Sequence, residues 1–166
     1  IMGMALTAPI SSAAIAIAIS LSGIAGGAAV VGCCTQMLGF AVMSRKDNNI
    51  GMVVSVGIGT SMLQFKNILK KPVIWLPTII VSAILGPLST LVFKLECSPT
   101  GSGMGTSGLV GVIETFDVMF AKGLDSNTLW IVGVILLEIV LPIVLVYGLD
   151  VLFRKLNIIK DGDLKI

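Results

Sequence analysis

The 166-residue chain has no histidine, only 12% charged residues, 5% aromatics and three cysteines. Each shortage excludes something. Without histidine, the usual zinc sites and imidazole acid–base chemistry are out of reach for this sequence alone. Cys33 and Cys34 are adjacent in an apolar stretch and Cys97 stands apart in a polar loop, so neither metal spacing nor a disulfide framework is seen. A formal net charge of +2, with the basic residues gathered at segment ends rather than in a stripe, leaves no footprint for nucleic acid. The chain opens at Ile1 without an initiator methionine or a signal-peptide pattern, and is expected to be the C-terminal half of a longer protein.

What the chain has in abundance is apolar surface. At 55% hydrophobic residues and a mean hydropathy of +1.05, several stretches are long enough to cross a bilayer. Ala5 to Ser44 is 40 residues long. As one straight helix it would reach about 60 Å, twice the hydrocarbon thickness, so it must break. Pro9, Ser11 and Ser12 mark an initial broken piece, and Gly23, Gly26, Gly27 and Gly32 predict a closely packed helix to about Met43. Val73 to Phe93 and Leu129 to Phe153 read as two further spans, with Trp75 and Trp130 as interfacial anchors and with kinks at Pro87 and Pro142.

Charge placement orients them. Nine of the eleven basic residues fall in two groups, Arg45 to Lys71 and Arg154 to Lys165, which share one side. Lys94 and Lys122 are the exceptions, and sit with Glu96, Glu114, Asp117 and Asp125 on the other. Ile50 to Phe65 is apolar but only 16 residues long and flanked by basic residues at both ends, so it should dip into the membrane and return.

One signature occurs twice: Gly57-Ile58-Gly59-Thr60-Ser61 and Gly103-Met104-Gly105-Thr106-Ser107. Glycine costs a helix interior about 1 kcal/mol against alanine, and Ser and Thr compete for backbone hydrogen bonds, so both copies should break helices. In lipid, broken helix survives only where protein or a watery cavity satisfies the freed backbone groups. The expected fold is therefore an all-α membrane protein. It forms a single transport-type domain over residues 1–166, with about three transmembrane helices and two re-entrant or broken-helix elements of opposite topology.

The candidate binding residues follow from this arrangement. Gly59, Thr60, Ser61, Gly105, Thr106 and Ser107 can present hydroxyls and backbone N–H groups to a polar solute, although the same residues also suit tight packing and helix capping. Gln64 follows the first copy, and Glu114 lies seven residues beyond Ser107, where a carboxylate at membrane depth pairs, faces water or binds substrate. Glu138, ten residues into the last span, reads either as an ion or proton site or as a structurally paired group. No catalytic nucleophile, metal site or cofactor is implied.

The strings IGTSMLQFKNILKKPVIWLPTIIVSAILGPLSTLVFK, from Ile58 to Lys94, and GMGTSGLVGVIETF, from Gly103 to Phe116, resemble a family of bacterial membrane proteins described as phosphotransferase-system enzyme IIC, which includes a regulator of perfringolysin expression. The resemblance covers most of the chain. It implies a permease of the bacterial inner membrane that takes a sugar or similar polyhydroxy solute from outside, releases it inward, and works with a cytoplasmic IIB-type phosphocarrier. Sugar permeases of this kind often carry a functional histidine beside a glutamate, which this chain lacks. Three spans are too few to enclose a pathway, so a homo-oligomer or the missing N-terminal half is expected to complete it. Two other readings stay open on the residues alone: an ion- or proton-coupled transporter or channel using Glu114 and Glu138, and a membrane sensor or regulator.

Overall fold

The long first stretch breaks where its polar residues and proline predict. In the computed structural model, which describes residues 1–123 and 129–166, it forms α1 (Met2–Thr7), α2 (Ser12–Ala18) and α3 (Gly23–Ser44). Ser11 starts α2 by accepting a hydrogen bond from the Ala14 N–H at 3.3 Å, which satisfies one of the free donors of the first turn. Gly23 opens α3 in the left-handed region (φ +62°) and pairs in an isolated antiparallel bridge with Cys97, so this glycine ends a loop rather than packing a helix. Asp125, grouped above with the outer charges, lies outside the described residues.

Among the described residues three helices are long and apolar enough to cross a membrane: Gly23–Ser44, Pro72–Phe93 and Leu129–Lys155. They are not equivalent. Two thirds of the first (67%) is buried, against 28% and 39% of the others, so α3 is the central post and the other two spans present most of their surface outward. Gly39 lets them converge, because a Cβ there would stand 2.7 Å from Thr78 Cγ2 of the second span and 3.1 Å from Val146 Cγ2 of the third. Phe40, Met43, Leu85, Leu137 and Val146 fill the core around that crossing.

The predicted dip is present as a bent pair. Ile50–Gly59 and Ser61–Lys70 meet at 120°, hinged at Thr60, whose backbone is extended. The first arm is α4 (Ile50–Val54), capped by the Asn49 side chain, running into a π-helical turn at Ser55–Gly59. The second arm ends in α5 (Phe65–Lys70). The second span follows, with α6 (Leu76–Leu88) as its main part and a π-turn at Ser89–Phe93 just beyond Pro87.

At the far end of that span lies the second broken element. It consists of α7 (Pro99–Ser102), a turn over 103–106, a 3-10 turn at Ser107–Leu109 and α8 (Val110–Ala121). The second span is 22 residues long, or about 33 Å of helix, and it separates the bases of the two broken elements. All regular structure among the described residues is helical. The third span contains α9 (Leu129–Val134), a π-turn at Ile135–Val140 and α10 (Leu141–Lys155). Its widened turn has a local cause. Pro142 has no N–H to give the Glu138 carbonyl, and the Leu141 N–H reaches five residues back to Leu136.

Each base is fastened by ion pairs. Lys122 Nζ meets Glu96 Oε1 at 2.5 Å beneath the second element. At the opposite end, Arg154 bonds Asp150 at 3.0 Å and Asp47 at 3.3 Å, and Arg45 bonds the buried Asp150 at 2.9 Å while lying over the Tyr147 ring. These contacts join the two basic groups of the sequence on one side. The segment 157–166 then returns across this end as a strap. The Leu164 carbonyl accepts from Asn48 Nδ2 and Gln64 Nε2, Asn67 Nδ2 donates to the Lys165 carbonyl, and Lys71 pairs with Asp163. Partial burial works to raise the Asp163 carboxyl, but the Lys71 ammonium and the Lys160 N–H outweigh it and hold the group below the usual carboxylate range.

Candidate functional site

The two copies of the signature touch. Thr106 Oγ1 donates to the Gly57 carbonyl at 2.6 Å and Ser107 Oγ donates to the Gly59 carbonyl at 2.9 Å. The π-turn over Ser55–Gly59 ends at Thr60, whose N–H reaches back to Ser55 O at 2.9 Å and whose backbone is extended. The hydroxyls of one broken element thus satisfy carbonyls at the break in the other, as irregular backbone at membrane depth requires.

The second copy sits against backbone. Gly105 is left-handed (φ +57°), and a Cβ there would come within 2.7 Å of the Cys33 carbonyl carbon and 2.8 Å of the Cys34 nitrogen in α3. Gly103 is crowded by Ala13 and accepts from Ser12 Oγ at 2.6 Å. Gly108 and Leu109 are both left-handed, and for a leucine that conformation costs about 1–2 kcal/mol. The strain is held at the junction by the Gly111 N–H, which bonds the Gly105 carbonyl at 2.8 Å. The first copy is looser, with nothing within 4 Å of a Cβ at Gly59.

Of the other expected site residues, Thr60, Ser61 and Gln64 have partners of their own. Thr60 Oγ1 caps the Met62 N–H at 3.2 Å. Ser61 is buried, 2.9 Å from Thr7 Oγ1. Gln64 is tied to the strap through Leu164 and to Asn67. Glu114 is half-buried and packs against Gly101 in the α7–α8 contact, about one turn into α8, and Asp117 is exposed. Glu138 is fully buried in the third span.

A polar cluster that sequence reasoning missed adjoins Ser61. Gln36 Oε1 accepts from Trp75 Nε1 at 2.9 Å and from Thr78 Oγ1 at 3.0 Å, and Thr7 Oγ1 lies 3.5 Å away. The half-buried Trp75 thus spends its indole N–H on this cluster. Its signal was available: a glutamine inside an apolar span needs partners. Gln36 also reaches a cavity of about 710 Å³ between α1, α3 and α6, lined mostly by small and apolar residues such as Ala25, Ala29, Gly32 and Gly86. Cys97, at the start of the second element, is buried, and that burial pushes its thiol up to about 11, which disfavours the thiolate.

Three apolar spans, a bent helix pair and a second broken element that meets it make this an integral membrane protein of the transporter class. Comparison with known families places it more narrowly. The family described as Phosphotransferase system, EIIC matches residues 1–166, and the chain belongs to it. No curated protein and no solved structure matches the chain. Membership makes it a membrane transport component of the phosphotransferase-system type.

Proposed function

We propose that this protein translocates a sugar or similar polyhydroxy solute across the bacterial inner membrane, and that the solute is recognised where the two signatures meet. The observation that carries this reading is the pair of hydrogen bonds from Thr106 and Ser107 to the Gly57 and Gly59 carbonyls. Hydroxyls and unwound backbone suit a solute made of hydroxyl groups, which can exchange with them one hydrogen bond at a time. The open space at Gly59 leaves room beside the junction. Gly59, Thr60, Ser61, Gly105, Thr106 and Ser107 form the cradle in this proposal, Glu114 accepts solute hydroxyls after a movement of α8, and Gln64 positions the second arm of the hairpin from the strap side.

Coupling to phosphorylation falls to a cytoplasmic IIB-type carrier in this proposal, as EIIC membership suggests. Three spans do not enclose a pathway by themselves, so the working unit draws further spans from a second copy or from additional chain. The test uses membrane vesicles carrying Ser107→Cys or Gly59→Cys, since the three native thiols are buried. Modification by thiol reagents is measured with and without each of a panel of hexoses, hexitols and disaccharides. The expected result is protection of both positions by the same compound, lost in Glu114→Gln. Absence of protection by every compound would overturn the proposal.

A further inference from the structure

The third span carries one polar group for which the fold provides nothing. Glu138 is fully buried, and neither Oε1 nor Oε2 has a hydrogen-bond partner among the described residues. Its polar neighbours are Thr115 of α8, Cys34 of α3 and Cys97. The Thr115 hydroxyl gives its proton to the Gly111 carbonyl at 2.9 Å, and the Cys97 thiol points at the same carbonyl at 3.8 Å. The Thr115 hydroxyl and the Cys97 thiol are therefore both spent on that carbonyl, the Cys34 thiol is left as a weak donor, and what Thr115 still offers is lone pairs. That environment suits a carboxylic acid, which has a proton to give, and not a carboxylate, which needs protons given to it.

Among the described residues no charged side chain faces it, and Glu96, beside Cys97, pairs with Lys122. On α3, Cys34 is its titratable neighbour, Cys33 points to the Ser102 carbonyl, and Arg45 is eleven residues on, roughly 16 Å along the axis. Glu114 of α8 packs against Gly101, and Asp117 is exposed. The described part of α9 has no titratable residue, and on α10 the nearest, Tyr147, is nine residues on, roughly 13 Å, with Asp150 beyond it bound to two arginines. No group of His, Cys, Asp and Glu among the described residues can hold a metal ion. A bare carboxylate so placed is strongly disfavoured and takes up a proton instead.

We propose that Glu138 is a proton-binding site, loaded in this conformation and able to discharge only when α8 and the Cys97 loop draw back from the third span, so that the conformational cycle binds and releases one proton. On opening, the carboxyl O–H breaks to admitted water and leaves the carboxylate solvated. Closing reverses the step. The connection to the signatures is short: Gly105 O accepts from the Gly111 N–H, Gly111 O accepts from Thr115, and Thr115 lies beside Glu138. Movement of the second signature is thus movement of the cover over Glu138. This holds whatever solute is carried.

The test uses the full chain in lipid nanodiscs and has two readouts. The chain has three glutamates, Glu96, Glu114 and Glu138, so in the E96Q/E114Q double variant labelled with ¹³C-glutamate, an isotope-shifted protonated-carboxyl infrared band at pH 7 belongs to Glu138. Absence of that band overturns the proposal and does not require E138Q to fold. The second readout is the rate of Cys97 modification by a soluble maleimide, taken as the ratio of wild type to E138Q at each pH so that thiol ionisation cancels. The ratio is expected to rise with pH, by at most tenfold per unit for a single proton, with no such rise when E114Q replaces wild type's partner in the ratio. A band with a flat ratio would make Glu138 an inert buried acid and overturn the coupling.

Discussion

Gly59 and Gly105 occupy the same third position of the repeated signature, and replacing each by alanine should have opposite effects. At Gly105 the added methyl forces an L-residue into a left-handed conformation, at about 1–2 kcal/mol. It also meets the Cys33 and Cys34 backbone at 2.7–2.8 Å. That backbone belongs to the central, most buried span, which has little room to retreat, so overpacking adds about 1–3 kcal/mol. The expected loss for Gly105→Ala is about 2–5 kcal/mol on these two costs together. Gly59 has neither a positive φ nor any atom within 4 Å of its would-be Cβ. Gly59→Ala should then be neutral or stabilising by up to about 1 kcal/mol, because alanine restricts the unfolded chain. Thermal melting in detergent, followed by the fluorescence of Trp75 and Trp130, separates the two. Equal destabilisation by both changes would refute the reasoning, since it would mean that the copies are packed alike.

Thr106→Val keeps the shape of the side chain but orphans the buried Gly57 carbonyl, and should cost about 1–3 kcal/mol in the same melt, while Ser107→Ala at the more exposed end costs less. Arg154→Met takes a shared partner from Asp150, which keeps Arg45, and from Asp47, which keeps the Gly162 and Leu164 N–H groups, and should destabilise by about 1–3 kcal/mol, whereas Asp161→Ala, at an exposed carboxylate, should change stability by less than about 0.5 kcal/mol. The strap should respond to acid in one direction only. The Asp163 carboxyl is held below its unfolded value, so its contribution is complete above about pH 5 and fades as pH falls through the folded value. Hydrogen exchange at the Lys160 amide, which bonds the Asp163 carboxylate, should accordingly be constant from pH 5 to 8, after correction for intrinsic rates, accelerate in stronger acid, and be faster at every pH in Asp163→Asn.

The sequence was most readable where single residues act through their own chemistry. Basic residues at segment ends located the shared side, and the bent pair starts with the short apolar stretch at Ile50 and runs past its end at Phe65 to Lys70. The glycines and hydroxyls of the signature foretold helix breaks, and the two breaks do meet. What stayed hidden depends on partners far along the chain. Gln64 looked available for a solute because nothing local revealed that a carbonyl 100 positions away, at Leu164, would take its amide. The inequivalence of Gly59 and Gly105 was equally invisible, for the two motifs are alike and only the neighbouring backbone differs. Gly39, which brings the three spans together, carries no pattern that sets it apart from the other glycines of its helix.

The widened turns at Ser55–Gly59, Ser89–Phe93 and Ile135–Val140 each hold one residue more than an α-turn would. Counted along the chain, each is a one-residue insertion stored inside a helix. Deleting a residue from Ile135–Val140 and closing that turn to an ordinary α-turn would leave the two halves of the third span facing as they do now, because the wide turn has absorbed the extra residue. Deleting one from the α-helical flank instead would turn one half against the other by about 100°, and Arg154 and Asp150 would then no longer face the first span whenever Glu138 faced Thr115. A relative one residue shorter at a widened turn can therefore keep every helix face, whereas one shorter in the flank cannot.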